Sequence, residues 1–336
     1  MSLPLLSVVV PARDAGTTLG RCLAALAAND LPRARWELVV VDDGSTDDTA
    51  RIAARYADVV LCTTGRSVGP AAARNRAVAA CRADIVVFVD ADVCVHRATL
   101  RRFHEILTRA PDVAAVSGAY DTTPADRGFV SQYRNLLHHW VHATHGGAAE
   151  TFWTGCGAVR RSAFLDVGGF DARRYPRPQI EDIELGYRLH DRGYRLELRP
   201  DVQGTHLKRW TFRGMLVTDV RDRGIPWMRL LLERRRALAR GPLNVAMTEK
   251  ALTALCAAAA ATSLLAVATR DARWLTGSAA ALGAIVVSDA ALYRWFLRER
   301  GWWFALRTVP MRIVYFAGNA LAATVGCVAH VAARGR

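Results

Sequence analysis

Over its first 120 residues the chain alternates short apolar runs with segments whose apolar positions recur every three or four residues. The runs Leu5 to Pro11 (LLSVVVP), Trp36 to Val41, Val59 to Cys62 and Ile85 to Val89 have the length and hydrophobicity of strands, and the five consecutive apolar residues of the last read as a strand buried on both faces. Between them, Thr17 to Asn29 sets Leu19, Leu23 and Leu26 at helical spacing, Asp47 to Tyr56 opens with acids that suit a helix N-terminus, and Pro70 to Arg82 is an Ala-rich helix. Four strands interleaved with three helices predict a doubly wound α/β domain with a mostly parallel sheet. A helix over Ala98 to Arg109 and a strand over Val113 to Ser117 extend it.

The regularity then changes. Phe129 to Thr144 reads as a helix, and Phe152 to Val159 holds a Gly-rich turn, Thr154-Gly155-Cys156-Gly157. Ile180 to Arg192 reads as a second helix, with Glu184 and Arg188 spaced to pair and Gly193 to stop it; Tyr194 to Leu198 alternates as a strand. From Trp210 to Arg240 the pattern is basic and amphipathic, as suits a helix in a membrane interface. Ala251 to Thr269, Trp274 to Tyr293 and Ile313 to Ala333 are each close to the roughly 20 residues that cross a bilayer, the third with a basic tail that leaves a re-entrant or tilted helix open. Asp289, alone in the second segment, is expected to pair with Arg294. The pattern thus divides the chain into a catalytic domain over 1–205, an interface segment over 206–250 and a membrane domain of two or three apolar helices over 251–336.

Charge sharpens the picture. The net charge of +14 admits nucleic acid, anionic lipid or phosphorylated ligands, but eleven Lys or Arg against four acids fall between Gln203 and Lys250, just before the first long apolar segment. That is the place of a juxtamembrane basic belt, and no base-reading module accompanies it, so nucleic acid is not an expected partner. The belt and the arginines between the second and third segments both favour the cytoplasmic side. No leader is readable before the first strand, and the seven cysteines show no paired spacing, so free thiols and a cytoplasmic soluble part are expected.

Candidate chemistry gathers at strand ends. Pro11-Ala12-Arg13-Asp14, Asp42-Asp43-Gly44-Ser45 and Asp90-Ala91-Asp92 follow parallel strands, whose C-terminal ends share one edge of the sheet. Carboxylates spaced i, i+2, as Asp90 and Asp92 are, suit a hard divalent cation that also takes substrate phosphate oxygens. Neither a G-x-G-x-x-G nor a Walker-type loop is present, so a diphosphate here would rely on metal and arginine. Three of the histidines His138, His139, His142 and His145 share a helical face, but no acid or Cys nearby completes a zinc set, which favours an acceptor-cleft or interface helix.

Taken in order, VVVP, VVDDGSTD, GPAAARN, FVDAD, TGCGAVRRSAFLDVGGFD and IEDIELGYRLHDRGY resemble the family 2 glycosyltransferases of GT-A fold over roughly residues 5 to 210. The resemblance implies that Pro11, Arg13, Asp14, Asp42 and Asp43 line a nucleotide, that Arg74 approaches its diphosphate, and that Asp90, Ala91 and Asp92 hold the donor with Mg²⁺ or Mn²⁺. It implies that Glu181 and Asp182 are the E-D pair, with Asp182 the base, and that His206 lies near the metal. The segment departs from the Q-x-x-R-W motif of processive synthases: Arg209-Trp210 is present, but His206 stands where Gln would. Gly155, Cys156, Gly157, Lys208, Arg209, Trp210 and Arg213 are expected at an acceptor or membrane face, the cations serving either an acceptor phosphate or anionic lipid.

The expectation is an inverting, metal-dependent glycosyltransferase at the cytoplasmic membrane. It would move sugar from a nucleoside diphosphate to a lipid-linked acceptor, polyprenyl phosphate before a glycolipid or hydroxylated lipid. A catalytically idle sugar-nucleotide binder and a nucleotidyltransferase are the rivals, and a homo-oligomer is left open.

Overall fold

The computed structural model describes residues 3–63, 65–235 and 246–334. Two compact units divide after Arg209, four residues beyond the boundary that the pattern suggests.

The first unit begins with the expected alternation: β1 (Leu6–Ala12), α1 (Leu19–Ala27), β2 (Trp36–Asp42), α2 (Thr49–Ala53), β3 (Val59–Cys62), α3 (Pro70–Ala80) and β4 (Ile85–Val89). Strands β3, β2, β1 and β4 lie side by side, all parallel. Because side chains alternate across a strand, β1 sends Leu6, Val8 and Val10 to one helical layer and Val9 to the other. Leu19, Leu23 and Leu26 cover the first face; Ala71, Ala73 and Ala77 let α3 sit close on the second. A short strand β5 (Val93–Val95), absent from the pattern because it is only three residues long, then leads into α4 (Thr99–Arg109), which joins the first layer through Leu100, Phe103 and Leu107.

The remaining elements make the sheet mixed. They are β6 (Val113–Tyr120), α5 (Phe129–Thr144), β7 (Gly147–Ala149), β8 (Cys156–Arg160), α6 (Arg161–Asp166), α7 (Glu181–Asp191) and β9 (Arg195–His206). The order continues β4-β8-β6-β9-β5, with β8 antiparallel to both its neighbours and β7 on the side of β9. So β6 does not extend the parallel block directly: the chain returns through α5 and slides β8 between. Gly157 makes this fit, since a Cβ there would overlap the Trp153 carbonyl and crowd the Phe152 ring. Strand β9 runs eight residues past Leu198, through a jump in register from Ser117–Leu198 to Ala119–Gln203, and so carries His206 to a position opposite Val93 on β5. Phe88 on β4 packs against Phe152, Phe164 and Phe170 at centroid distances of 5.5 to 6.2 Å and joins the central strand to the second layer.

The second unit is helical. A run over α8 (Phe212–Val217), a wider-wound stretch (Thr218–Gly224) and α9 (Ile225–Glu233) is followed by α10 (Met247–Thr269), α11 (Arg273–Ser288), α12 (Ala290–Arg300) and α13 (Trp302–Arg334). The basic residues Arg236 and Arg240 of the expected interface helix lie outside the described residues. The rest of that helix packs along α13: Val220, Gly224 and Met228 meet the small residues Gly318, Ala322 and Gly326. Helices α10 and α13 are long and apolar enough to cross a membrane, whereas α11 and α12 are bent by 57° at Asp289. The irregular segment is therefore the second and not the third. Asp289 also pairs differently from the expectation: Arg312 on α13, only 3% exposed, reaches its Oδ2 at 2.5 Å and Glu249 on α10 at 3.2 Å. Arg294 is exposed on the helix leading away from the break, whereas Arg312 comes buried from a neighbouring helix and meets the buried Asp289.

Phe88→Ala is expected to lower unfolding stability by about 3–5 kcal/mol, measured by denaturant titration of the detergent-solubilised chain. A loss under about 1 kcal/mol would place the joint between strand and helix layer elsewhere.

Candidate active site

The C-terminal ends of β1, β2 and β4 lie at one edge of the sheet, as parallel strands require. At the tip of β4, Asp90 accepts from the Arg74 Nη2 at 2.7 Å, while Nη1 of the same guanidinium reaches Glu181 Oε1 at 3.0 Å. Arg74 is 4% exposed and Glu181 5%, so these two charges are drawn from water together, while Asp90 keeps about a third of its side chain exposed, at 34%. Burial alone would pull the Arg74 guanidinium down, but Asp90, Glu181 and Asp182 outweigh it and hold it firmly protonated. Removing one partner of a buried pair such as Arg74 and Glu181 typically costs about 3–5 kcal/mol. Arg74, expected at a diphosphate, is thus engaged by two carboxylates of its own chain.

Asp182, next in sequence to Glu181, takes hydrogen bonds from the Thr154 backbone N–H and hydroxyl, each at 3.3 Å, and from the Ile183 N–H at 2.8 Å. The following residue, Gly155, accepts from the Asp90 N–H at 3.2 Å. The turn before β8 therefore touches both the β4 tip and the α7 N-terminus. Thr154 is the functional neighbour that the Gly-rich motif contained without marking. Of the residues expected at an acceptor face, Cys156 is fully buried in β8 between β4 and β6, and Gly157 lies inside the same strand. Lys208 and Arg209 are exposed; Arg209 lies 3.8 Å from Asp126. Trp210 is half-buried and Arg213 exposed, both in the second unit.

Two residues past Asp90, Asp92 meets His206: Nε2 lies 3.4 Å from Asp92 Oδ2. Burial would raise the Asp92 carboxyl, but the contact with His206 and the charges of His206 and Lys208 hold it below the ordinary carboxylate range. Among the described residues no group of three or more His, Cys, Asp or Glu closes on one point. A pair of oxygen and nitrogen donors fits a cation that completes its shell with substrate phosphate oxygens and water. Asp90, expected as a further ligand, has one oxygen committed to Arg74. The histidines of α5 have other tasks: the Nδ1 atoms of His139 and His142 donate to the Tyr120 and Gly118 carbonyls at 2.7 and 3.0 Å, docking the helix on β6 where its ladder is irregular. His145 turns to the Val141 carbonyl of its own helix.

The expected nucleotide-lining acids hold loops. Asp43 accepts from Thr63 and Ser67 hydroxyls and from the Val68 and Gly69 N–H groups at 2.6 to 3.1 Å. Asp42 takes the Ser45 N–H, and Asp14, in left-handed backbone conformation at φ 45°, takes the Thr46 N–H and hydroxyl. Arg13 is exposed, 3.7 Å from Asp14, and Pro11 and Ala91 are half-buried. Gly69 starts α3 at φ 86°, with Pro70 next; a Cβ there would overlap the Pro176 carbonyl, so the loop leading to Glu181 lies directly upon it.

Burial would push the Asp43 carboxyl up, but its four donors outweigh that and hold it below its ordinary range. A depressed carboxyl contributes stability above its unfolded pKa of about 3.9 and loses it as pH falls through the lower folded value. Asp43→Asn is expected to melt below wild type at pH 7, with the gap closing below about pH 4; a gap that stays constant in a thermal series across that range would contradict this.

Residues 7–168 match the family described as glycosyl transferase family 2. The pre-mycofactocin glycosyltransferase of Mycobacterium tuberculosis is 30% identical over 222 residues, 62% of this chain and 44% of that protein, so the chain spans under half of that relative's length. The N-acetylglucosaminyl-diphospho-decaprenol L-rhamnosyltransferase of the same species is 29% identical over 240 residues, 61% of this chain and 76% of that protein. Among solved structures, the mannosyltransferase PcManGT from Pyrobaculum calidifontis, in complex with GDP-Man and Mn²⁺, is similar in fold at TM-score 0.58 and 22% identity, over 96% of this chain and 88% of that one. Residues 7–168 therefore resemble a family 2 glycosyltransferase domain, and the fold is of the kind seen in that solved mannosyltransferase.

Proposed function

We propose that the protein transfers a sugar, with inversion, from a nucleoside diphosphate to a lipid-linked acceptor. The observation that carries this reading is the Arg74 bridge, which brings the β4 tip at Asp90 and the E-D pair at Glu181 and Asp182 to one guanidinium. A donor lying across the sheet edge would present its diphosphate to the Asp90–Asp92 turn and its anomeric carbon towards Asp182.

Asp92 and His206, with the free oxygen of Asp90, would hold Mg²⁺ or Mn²⁺; when bound, the cation would neutralise charge on the departing diphosphate. The chain's own residues do the rest. The acceptor oxygen attacks C1 from the face opposite the diphosphate, the new C–O bond forms as the C1–O bond to phosphate breaks, and Asp182 takes the proton of a hydroxyl acceptor. Thr154 and the Ile183 N–H at the α7 N-terminus hold that carboxylate in orientation. If the acceptor is already a phosphate, Asp182 orients it and no proton need move.

A lipid-linked acceptor is supported by α10 and α13, by the exposed Trp302 and Trp303 at the start of α13, which suit a headgroup layer, and by the basic belt, which favours the cytoplasmic face. The decaprenol in the name of one relative points the same way. Polyprenyl phosphate is preferred to a hydroxylated lipid because the cations Lys208, Arg209 and Arg213 follow the site in sequence.

Asp182→Asn is expected to keep UDP- or GDP-sugar affinity within a few-fold and to cut turnover by about 10² or more. Undiminished turnover would remove Asp182 from catalysis. Asp92→Ala is expected to abolish the Mn²⁺ dependence of nucleotide binding in calorimetry, and binding that still responds to Mn²⁺ would remove Asp92 from the cation.

A further inference from the structure

We propose that Asn135 on α5 is a positioning residue that holds His206 through Nδ1 and turns its Nε2 towards Asp92, readying it as a nitrogen donor to a divalent cation; this rests on the reading of Asp92 and His206 as cation ligands.

The argument starts from the Asn135 amide, which is 1% exposed. Its Nδ2 donates to the Ser131 carbonyl at 3.0 Å, one helical turn back, and a carbonyl can only accept. The amide is therefore oriented by its own helix, and the atom left facing His206 is Oδ1, at 2.6 Å from the ring Nδ1. An amide oxygen has no hydrogen to give, so Nδ1 must carry the hydrogen of this bond. In a neutral imidazole the lone pair then resides on Nε2, the atom 3.4 Å from Asp92 Oδ2.

The ring has little freedom to escape this arrangement. It is stacked on Tyr120 at 4.2 Å and 8° between planes, and its side chain is 5% exposed. Nor can Asn135 drift, because His139 and His142 tie α5 to the carbonyls of Tyr120 and Gly118 on β6. A proton or a cation on Nε2 makes its pairing with the Asp92 carboxylate favourable, and a divalent cation would take the proton's place between them. Ligand histidines elsewhere are commonly fixed by a hydrogen bond at the second ring nitrogen, and loss of that partner costs 10- to 100-fold in metal affinity. Here the partner is a neutral amide held by its own helix.

The test is Mn²⁺ affinity of the full chain in detergent, read from the paramagnetic resonance signal of free Mn²⁺. Asn135→Leu is expected to weaken binding by about 10- to 100-fold, while Asn135→Asp, which keeps an acceptor in the same place, restores it to within a few-fold of wild type. His206→Ala separates the two ideas. If His206→Ala weakens Mn²⁺ and Asn135→Leu does not, the positioning role is overturned and the ligand reading stands. If His206→Ala binds as wild type does, the ligand reading falls and takes the proposal with it. Should Asn135→Leu fail to fold, solid-state NMR of ¹⁵N-histidine-labelled wild-type protein, at a pH where imidazoles are neutral, decides: His206 carrying its hydrogen on Nδ1 supports the role, and on Nε2 overturns it.

Discussion

A guanidinium that has lost its water must find negative charge, and Arg74 finds it on two carboxylates that lie 16 and 107 residues away along the chain. The requirement works in both directions. Glu181 is as deeply buried as Arg74 and would be costly to keep ionised without it. Satisfying these charges fixes where the start of α3, the tip of β4 and the first turn of α7 stand relative to one another. Asp182 is positioned because its neighbour is, and the turn before β8 adds a second tie through Thr154 and Gly155.

What could be read directly from the residues followed from periodicity. The parallel block was legible because β1, β2 and β4 are buried on both faces and so appear as largely apolar runs, and α5 matches its expected limits because its pattern is long. The insertion of β8 was not legible, since strand order depends on packing between distant segments and β8 itself holds only a few apolar residues. Strand β9 was read short because Pro200, Asp201 and Gln203 interrupt the apolar alternation where the register shifts.

The site divides in the same way. Spacing located Asp90 and Asp92, the family resemblance pointed to Glu181, Asp182 and His206, and the structure puts them in two linked clusters. It did not reveal which of a carboxylate's lone pairs the chain would use itself: Asp43 spends its oxygens on the Thr63–Gly69 loop, and Asp14 on Thr46. Asn135 carried no signal, since an Asn in mid-helix gains meaning only from the ring it faces. In the second unit, Asp289 was matched with a cation nearby in sequence; the true partner is 23 residues away, on a helix whose approach no local pattern encodes.

The seat of Pro176 on Gly69 ties one side of the candidate site to the other. The same glycine gives its N–H to Asp43 and opens the helix that bears Arg74, while the peptide resting on it runs on to the E-D pair. With no room for even a methyl group at that crossing, neither wall can be reshaped alone. A substitution around Ser67 and Gly69 would therefore be felt at Glu181 and Asp182, so under the proposed function donor and acceptor specificity should drift together and resist being exchanged piecemeal by grafting loops.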